Sequence, residues 1–272
     1  MLTKTTEYLS RKGIDSPRLD AELILSRALG LSRLELYTSF DRPLNETERA
    51  AARPLVERRG RREPLAYVLG DWGFRRLTLR TDSRALVPRP ETEIVAERAL
   101  AAIAEIAAPR VVDVGTGTGA IALAIADERP DARVTATDVS PDALALAQEN
   151  AARLELKVEF VETDLLAGIA GPFELVVSNP PYVHAAEVAS LEPEVRDWEP
   201  RLALVADGQT ERLARAAREL LTAGGSLVLE CHAEHAAEAC ALLAGLGYAG
   251  ASITRDLAGR ERVVEARWMP KA

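Results

Sequence analysis

The chain has 272 residues, 47% hydrophobic and 28% charged, with a net charge of −8. That length gives one large domain or two small ones with a full core. The acidic balance excludes a protein that grips nucleic acid over its whole surface, because such binding needs a basic face to neutralise phosphates.

Residues 1–69 read as wholly helical. Leu19, Leu23, Ile24 and Ala28 mark one apolar face, with Ser16-Pro17 as start signals and Gly30 as the stop. Leu34, Leu36, Tyr37 and Phe40 follow on a short element, and Asn45 opens a helix that runs to about Arg59 and closes at Gly60. The arginine run Arg53, Arg58, Arg59, Arg61 and Arg62 is expected to be a solvated helix end. Residues 70–90 change character. Phe74–Leu79 and Ala85–Val87 are expected to pair as a β-hairpin around Thr81-Asp82-Ser83, linking two domains. A helix over 92–107 follows, with Arg89 and Glu93 placed either to pair at its start or to meet substrate or donor. From residue 110 strands (110–114, 133–138, 157–161, 173–178, 226–230) alternate with helices (119–128, 141–154, 208–222, 233–246), which predicts a parallel sheet covered on both faces. Ser252–Arg255 and Arg262–Ala266 close the chain as an antiparallel hairpin. The two cysteines, Cys231 and Cys240, make no disulfide framework and fit a reducing cytoplasm. No run of 18 apolar residues offers a membrane span, and MLTKTTEYLSRKG lacks a signal peptide's apolar region, so the expected location is cytoplasmic, away from membranes.

Val111 to Gly119 runs from a strand into a glycine-rich turn and then a helix. Gly115, Gly117 and Ala120 satisfy the dinucleotide pattern G-x-G-x-x-A. Asp113 with Gly115, Thr116, Gly117, Thr118 and Gly119 fits the S-adenosylmethionine pattern better. An acid inside the first strand suits the cationic amino end of a methionine and would repel a pyrophosphate. Asp138 ends the next strand, where a carboxylate accepts ribose hydroxyls. SNPPY, residues 178–182, ends the fourth strand, where open α/β sheets bind ligands. The Asn179 side-chain oxygen and the Pro180 carbonyl make an acceptor pair for an NH₂ group and aim its lone pair at a methyl donor. Pro180 and Pro181 stiffen the frame, and Tyr182 packs on a planar amide or base. No strong base is required, so His184 reads as a loop residue. Cys231, His232 and His235 lack the spacing of a zinc site.

SNPPY, DVGTGTGAIALA and LVPRPETE together resemble the HemK/PrmC family, protein-(glutamine-N5) methyltransferases of class 1 peptide-chain release factors; GIDSPRLDAELIL, REPLAYVLG, EPRLALVADG and DLAGRERVV extend the likeness over nearly the whole chain. The resemblance implies a class I S-adenosylmethionine-dependent methyltransferase. Its Rossmann-like, mostly parallel seven-stranded sheet would carry an antiparallel carboxy-terminal hairpin, preceded by a small all-helical domain and a β-hairpin linker. It implies a substrate-docking domain at 1–69, a linker at 70–90 and a catalytic domain at 91–272. Gly115 to Gly119 and Asp138 would hold the donor and Asp164-Leu165 would flank its adenine, leaving S-adenosylhomocysteine as product. Asn179 to Tyr182 would hold the glutamine of a release factor's GGQ loop. Two places depart from the family pattern: Asp207-Gly208-Gln209 stands where DGL is usual, and Glu230-Cys231-His232 where Ile-Gly usually follows the glutamate. Three other readings compete. They are an amino methyltransferase of adenine or guanine that flips its base, a nicotinamide dehydrogenase, and a noncatalytic binding module.

Overall fold

The structure is a computed structural model that describes residues 1–38, 42–205 and 208–270; Phe40 and Asp207 lie outside the described residues. Five helices open the chain: α1 Leu2–Arg11, α2 Pro17–Leu29, α3 Arg33–Thr38, α4 Glu46–Gly60 and α5 Leu65–Leu69. Gly30 ends α2 at φ 65°, and Asn45 starts α4 with a reciprocal capping box to Glu48. Leu9, Ile14, Ala21, Ile24 and Val68 form the core of this part.

The buried face of α2 is turned from the one expected. Ile24 is buried, Leu23 and Ala28 are half-buried, and Leu19 is exposed, whereas Asp20 and Glu22 point inward. The cause is ionic. Asp20 Oδ2 accepts from Arg59 Nε at 2.6 Å, and Glu22 is held by Arg18, Arg33 and Tyr37. Buried carboxylates persist only with such partners. Arg59 is therefore not part of a solvated helix end. It is buried, and its Nη1 also reaches Glu194 at 2.9 Å, with Arg62 on the other Glu194 oxygen at 2.6 Å. Arg58 is tied to Glu63 and donates to the Tyr67 carbonyl.

The hairpin comes earlier than the sequence reading placed it. β1 (Asp71–Phe74) pairs antiparallel with β2 (Leu77–Arg80) around Arg75, at φ 51°, and Arg76. Phe74, Leu77 and Leu79 bury together, so Leu77–Arg80 is a strand in its own right, and Ala85–Val87 belongs to an irregular segment leading into α6 (Pro90–Ala102).

The rest alternates as predicted: β3 Arg110–Val114, α7 Ala120–Glu128, β4 Arg133–Asp138, α8 Pro141–Leu154, β5 Glu159–Glu162, β6 Phe173–Ser178, α9 Pro193–Trp198, α10 Arg201–Leu204, α11 Gln209–Leu220, β7 Leu221–Glu230, α12 Ala236–Gly245, β8 Tyr248–Arg255 and β9 Glu261–Trp268. The seven-stranded sheet has the order β5-β4-β3-β6-β7-β9-β8, parallel except for β9, which runs against both β7 and β8. Alternate residues serve the two faces. Val112, Val114, Val176, Leu227 and Leu229 pack with α11 and α12, and Val111, Leu175, Val177 and Val228 pack with α6 and α7. Strand order reverses between β3 and β6, which opens a crevice beyond their carboxyl ends. The short helices α9 and α10 have no counterpart in the sequence reading; Pro193 and Pro200 start them.

Candidate active site

The turn after β3 is built for close approach. Gly115, Gly117 and Gly119 all have positive φ, at 71°, 56° and 85°. A Cβ on Gly119 would come within 2.9 Å of Leu123 and 3.2 Å of Ala147, so this glycine lets the start of α7 sit close against α8. A Cβ on Gly115 would meet nothing within 4 Å, because that position opens onto a cavity of about 410 Å³. Asp138, Asp164, Leu165, Asn179 and Pro181 line the same cavity, together with Gly115, Thr116, Gly117 and Thr118.

Asp113 is the exception among the expected donor contacts. It lies behind the turn and is not part of the cavity wall. Its Oδ2 accepts from Thr116 Oγ1 at 2.7 Å and from Ala122 N at 3.1 Å, fastening the turn to the first turn of α7. Oδ1 is buried without a partner, and burial pushes the carboxyl up to about 7. The geometry gives Asp113 a turn-holding place behind the cavity wall, where the sequence had suggested a donor contact.

Asp138 faces the cavity. Its two oxygens accept from Gly117 N at 2.9 Å and Ser140 N at 3.0 Å. A carboxylate has about four lone-pair sites, so two remain for a ligand. Leu165 sits at φ 56° with its carbonyl accepting from Thr137 Oγ1 at 3.0 Å, which holds the Asp164-Leu165 corner against the cavity.

A second cavity, of about 840 Å³, lies on the other side of Asn179. Pro180, Tyr182 and His232 line it from the sheet side, Leu65 and Ala66 from α5, and Glu192, Glu194 and Val195 from the segment around α9. Asn179 and Arg89 line both cavities, so they form a shared wall. Arg89 does not pair with Glu93. It donates to both oxygens of Glu199, at 2.8 and 2.7 Å, while Glu93 accepts from Arg75 N. Burial pushes the Tyr182 hydroxyl up to about 12, so it stays protonated. His184 is exposed and makes an edge contact with His235, whose ring also neighbours His232. Among the described residues no group of three or more His, Cys, Asp and Glu side chains is placed to hold a metal ion. Gln209 lines the first cavity and His232 the second, so the two departures noted in the sequence fall on different cavities.

Sequence reasoning missed the surroundings of Asn179. Asn179 Nδ2 donates to Thr92 Oγ1 at 3.2 Å, and Thr92 Oγ1 donates to Glu230 Oε2 at 2.7 Å. Thr92 comes from the first turn of α6 and Glu230 from the end of β7, 138 positions apart in the chain. The available signal was a carboxylate ending the apolar strand Ser226-Leu227-Val228-Leu229-Glu230.

Two family models match the chain, the PrmC N-terminal domain over residues 1–70 and the methyltransferase small domain over 92–193. A release factor glutamine methyltransferase of Deinococcus radiodurans is 46% identical across 98% of this chain and 97% of its own length. The chain belongs to the release factor glutamine methyltransferase family. The Chlorobaculum tepidum member is 44% identical across 94% of this chain and 92% of its own length. Among solved structures, the Thermus thermophilus 16S rRNA N2 G1207 methyltransferase RsmC, in complex with AdoMet and guanosine, matches with a TM-score of 0.55 at 16% identity, covering 72% of this chain and 49% of that one, and shows the shared fold. The family's mostly parallel sheet with an antiparallel end is the architecture described above, and among the described residues no helix is long and apolar enough to cross a membrane.

Proposed function

We propose that this chain transfers a methyl group from S-adenosylmethionine to the side-chain amide nitrogen of the glutamine in the GGQ motif of class 1 release factors, and so modulates translation termination. The observation that carries the reading is Asn179 on the wall shared by two cavities, with its amide nitrogen engaged by Thr92 and its oxygen left for an acceptor. The cavity of about 410 Å³ fits the donor, and the one of about 840 Å³ then lies on the acceptor side. The open face at Gly115 admits close backbone approach, Asp138 keeps two lone-pair sites for ribose hydroxyls, and Asp164 and Leu165 would flank the adenine. When bound, the donor supplies an electrophilic methyl group on a sulfonium.

The chain's own residues hold the acceptor. An amide nitrogen is a poor nucleophile because its lone pair is delocalised. Two acceptors, Asn179 Oδ1 and the Pro180 carbonyl, would take its two N–H groups and favour the pyramidal form. This is catalysis by position and fixed dipoles. The nitrogen turns acidic only as it is alkylated, so no general base is needed. Tyr182 would pack on the amide plane. Asp113 contributes by keeping the turn in place.

The acceptor-side cavity also supports a protein substrate over a nucleic acid. Its ionic lining is Asp15, Glu91, Glu187, Glu192, Glu194 and Glu199 against Arg59, Arg89, Arg260 and Arg262. Arg59–Glu194 and Arg89–Glu199 pair with each other, and Arg260 and Arg262 are tied to Asp256. The acids left over would repel phosphates and attract a basic loop. Residues 1–69 would then dock the body of the substrate while 91–272 carry the chemistry. Incubation with methyl-labelled donor, purified release factors and, separately, RNA and DNA tests the reading. Label is expected on the GGQ glutamine; label on a nucleic acid with none on protein would overturn it in favour of the base-methylating alternative.

A further inference from the structure

Glu230 is buried, with 1% exposure, at the strand end beside Asn179, yet among the described residues the only hydrogen-bond partner of its carboxyl is Thr92, on Oε2, and Oε1 has none. A buried carboxylate with so little compensation is costly. The roles assigned above do not use it. Its position is set by the sheet. β6 and β7 run parallel with Ser178 opposite Leu229, so Asn179 and Glu230 emerge side by side. Thr92, itself buried, bridges them from above.

We propose that Glu230 and Thr92 are positioning residues that lock the Asn179 amide with its nitrogen inward and its oxygen toward the acceptor. An ionised carboxylate only accepts. Thr92 has one hydroxyl proton, and at 2.7 Å from Glu230 Oε2 that proton is given to the carboxylate. The Thr92 oxygen then has only lone pairs left. The Asn179 group facing it at 3.2 Å must therefore be the NH₂. The flipped amide would set oxygen against oxygen on this side and point an NH₂ at the incoming NH₂ on the other. A carboxylate fixes the direction; a group that both donates and accepts does not. The charged neighbours of Glu230 are Glu91 and Arg89 around the start of α6 and Arg262 on β9, with Tyr182 and Cys231 also close by. Burial, aided by Glu91, pushes the Glu230 carboxyl up to about 7, and below that pH it gains a proton to give and the direction is no longer forced.

The effect on turnover rests on the glutamine-amide reading, whereas the locked amide does not, so two measurements separate them. In protein without acceptor, the ¹⁵N side-chain signal of Asn179 is expected to show one hydrogen-bonded, exchange-protected proton. That feature is lost in Thr92→Val and kept in Thr92→Ser. In single-turnover methylation of a GGQ peptide at saturating donor, Thr92→Val is expected to run about 10- to 100-fold slower, the scale of a misplaced reacting group. Its donor affinity and peptide KM should stay near wild type, and Thr92→Ser should recover most of the rate. Glu230→Gln, able to donate and accept, should fall between. If Glu230→Gln fails to fold, the threonine pair still decides. An unchanged Asn179 signal in Thr92→Val, a full-rate Thr92→Val, or a Thr92→Ser as slow as Thr92→Val would each overturn the proposal. A wild-type enzyme that labels no glutamine would remove the functional reading and leave the amide signal to judge the lock.

Discussion

Replacing Asp138 with alanine separates a ribose-binding carboxylate from one that merely closes a turn. In the structure its oxygens already accept two backbone N–H groups, Gly117 at 2.9 Å and Ser140 at 3.0 Å. Alanine removes both acceptors. Asp138 is half-buried and borders a cavity, so water can replace them, and the cost to folding should sit near the low end for a lost hydrogen bond, about 1 kcal/mol. The cost to donor binding is separate. Two hydroxyl bonds to an ionised acceptor contribute about 1.5–3 kcal/mol together, which corresponds to a roughly 10- to 150-fold weaker dissociation constant. Titration calorimetry with S-adenosylhomocysteine reads this directly, and urea unfolding of the same variant reads the folding cost. Asp138→Asn keeps one acceptor oxygen and should lose less than alanine on both counts. A dissociation constant for Asp138→Ala within about threefold of wild type would refute the ribose assignment, and would leave Asp138 as a clasp between Gly117 and Ser140.

Asn179→Ala is expected to slow single-turnover methylation by about 10²–10³-fold, as for removing one preorganised partner of a transition state, with donor affinity little changed. His184→Ala should cost less than about tenfold in the same assay, because no general base is needed. Asp113 gives a pH signature. Its folded carboxyl is raised to about 7, above the unfolded value, so the folded state holds the proton longer and stability from this group is full below about pH 4 and is lost as pH rises from there to about 7. Urea midpoints at pH 5 and pH 8 should therefore show wild type losing ground to Asp113→Asn as pH rises. Arg59→Ala strips the buried Asp20 of its counter-ion and should destabilise the fold by about 3–5 kcal/mol, measured by urea unfolding; a change below 1 kcal/mol would show that water reaches Asp20.

The central sheet was legible because β3 and β6 are short apolar runs and because polar residues mark strand ends at the ligand side: Asp138 closing β4 and Asn179 after β6. The glycine turn and SNPPY were legible for the same reason, since each places unusual residues at a strand exit. Asp113 was misread from its motif, although strand alternation already held the answer. Val112 and Val114 face α11 and α12, so Asp113 must turn with Val111 toward α7, where it fastens the turn. The hairpin was misplaced because Arg75-Arg76 lacks the glycine or asparagine that normally marks a tight turn. Thr92, Glu230, Glu199 and the Asp20–Arg59–Glu194 cluster were out of reach for another reason. Their partners lie between 39 and 138 positions apart, and local pattern carries no information about which distant charge or hydroxyl will meet.

The Arg59 and Arg62 contacts to Glu194 reach from α4 and the turn after it to α9, a span of 135 positions for Arg59. They act as a half-buried strap across the acceptor-side cavity. Opening that cavity would separate charges in a poorly solvated place, so its walls are set when the chain folds and not when a substrate arrives. A loop entering it meets a finished mould. The ordering entropy of the encounter then falls almost wholly on the incoming loop, and a substrate whose loop is already rigid should bind more tightly than the same residues on a free peptide.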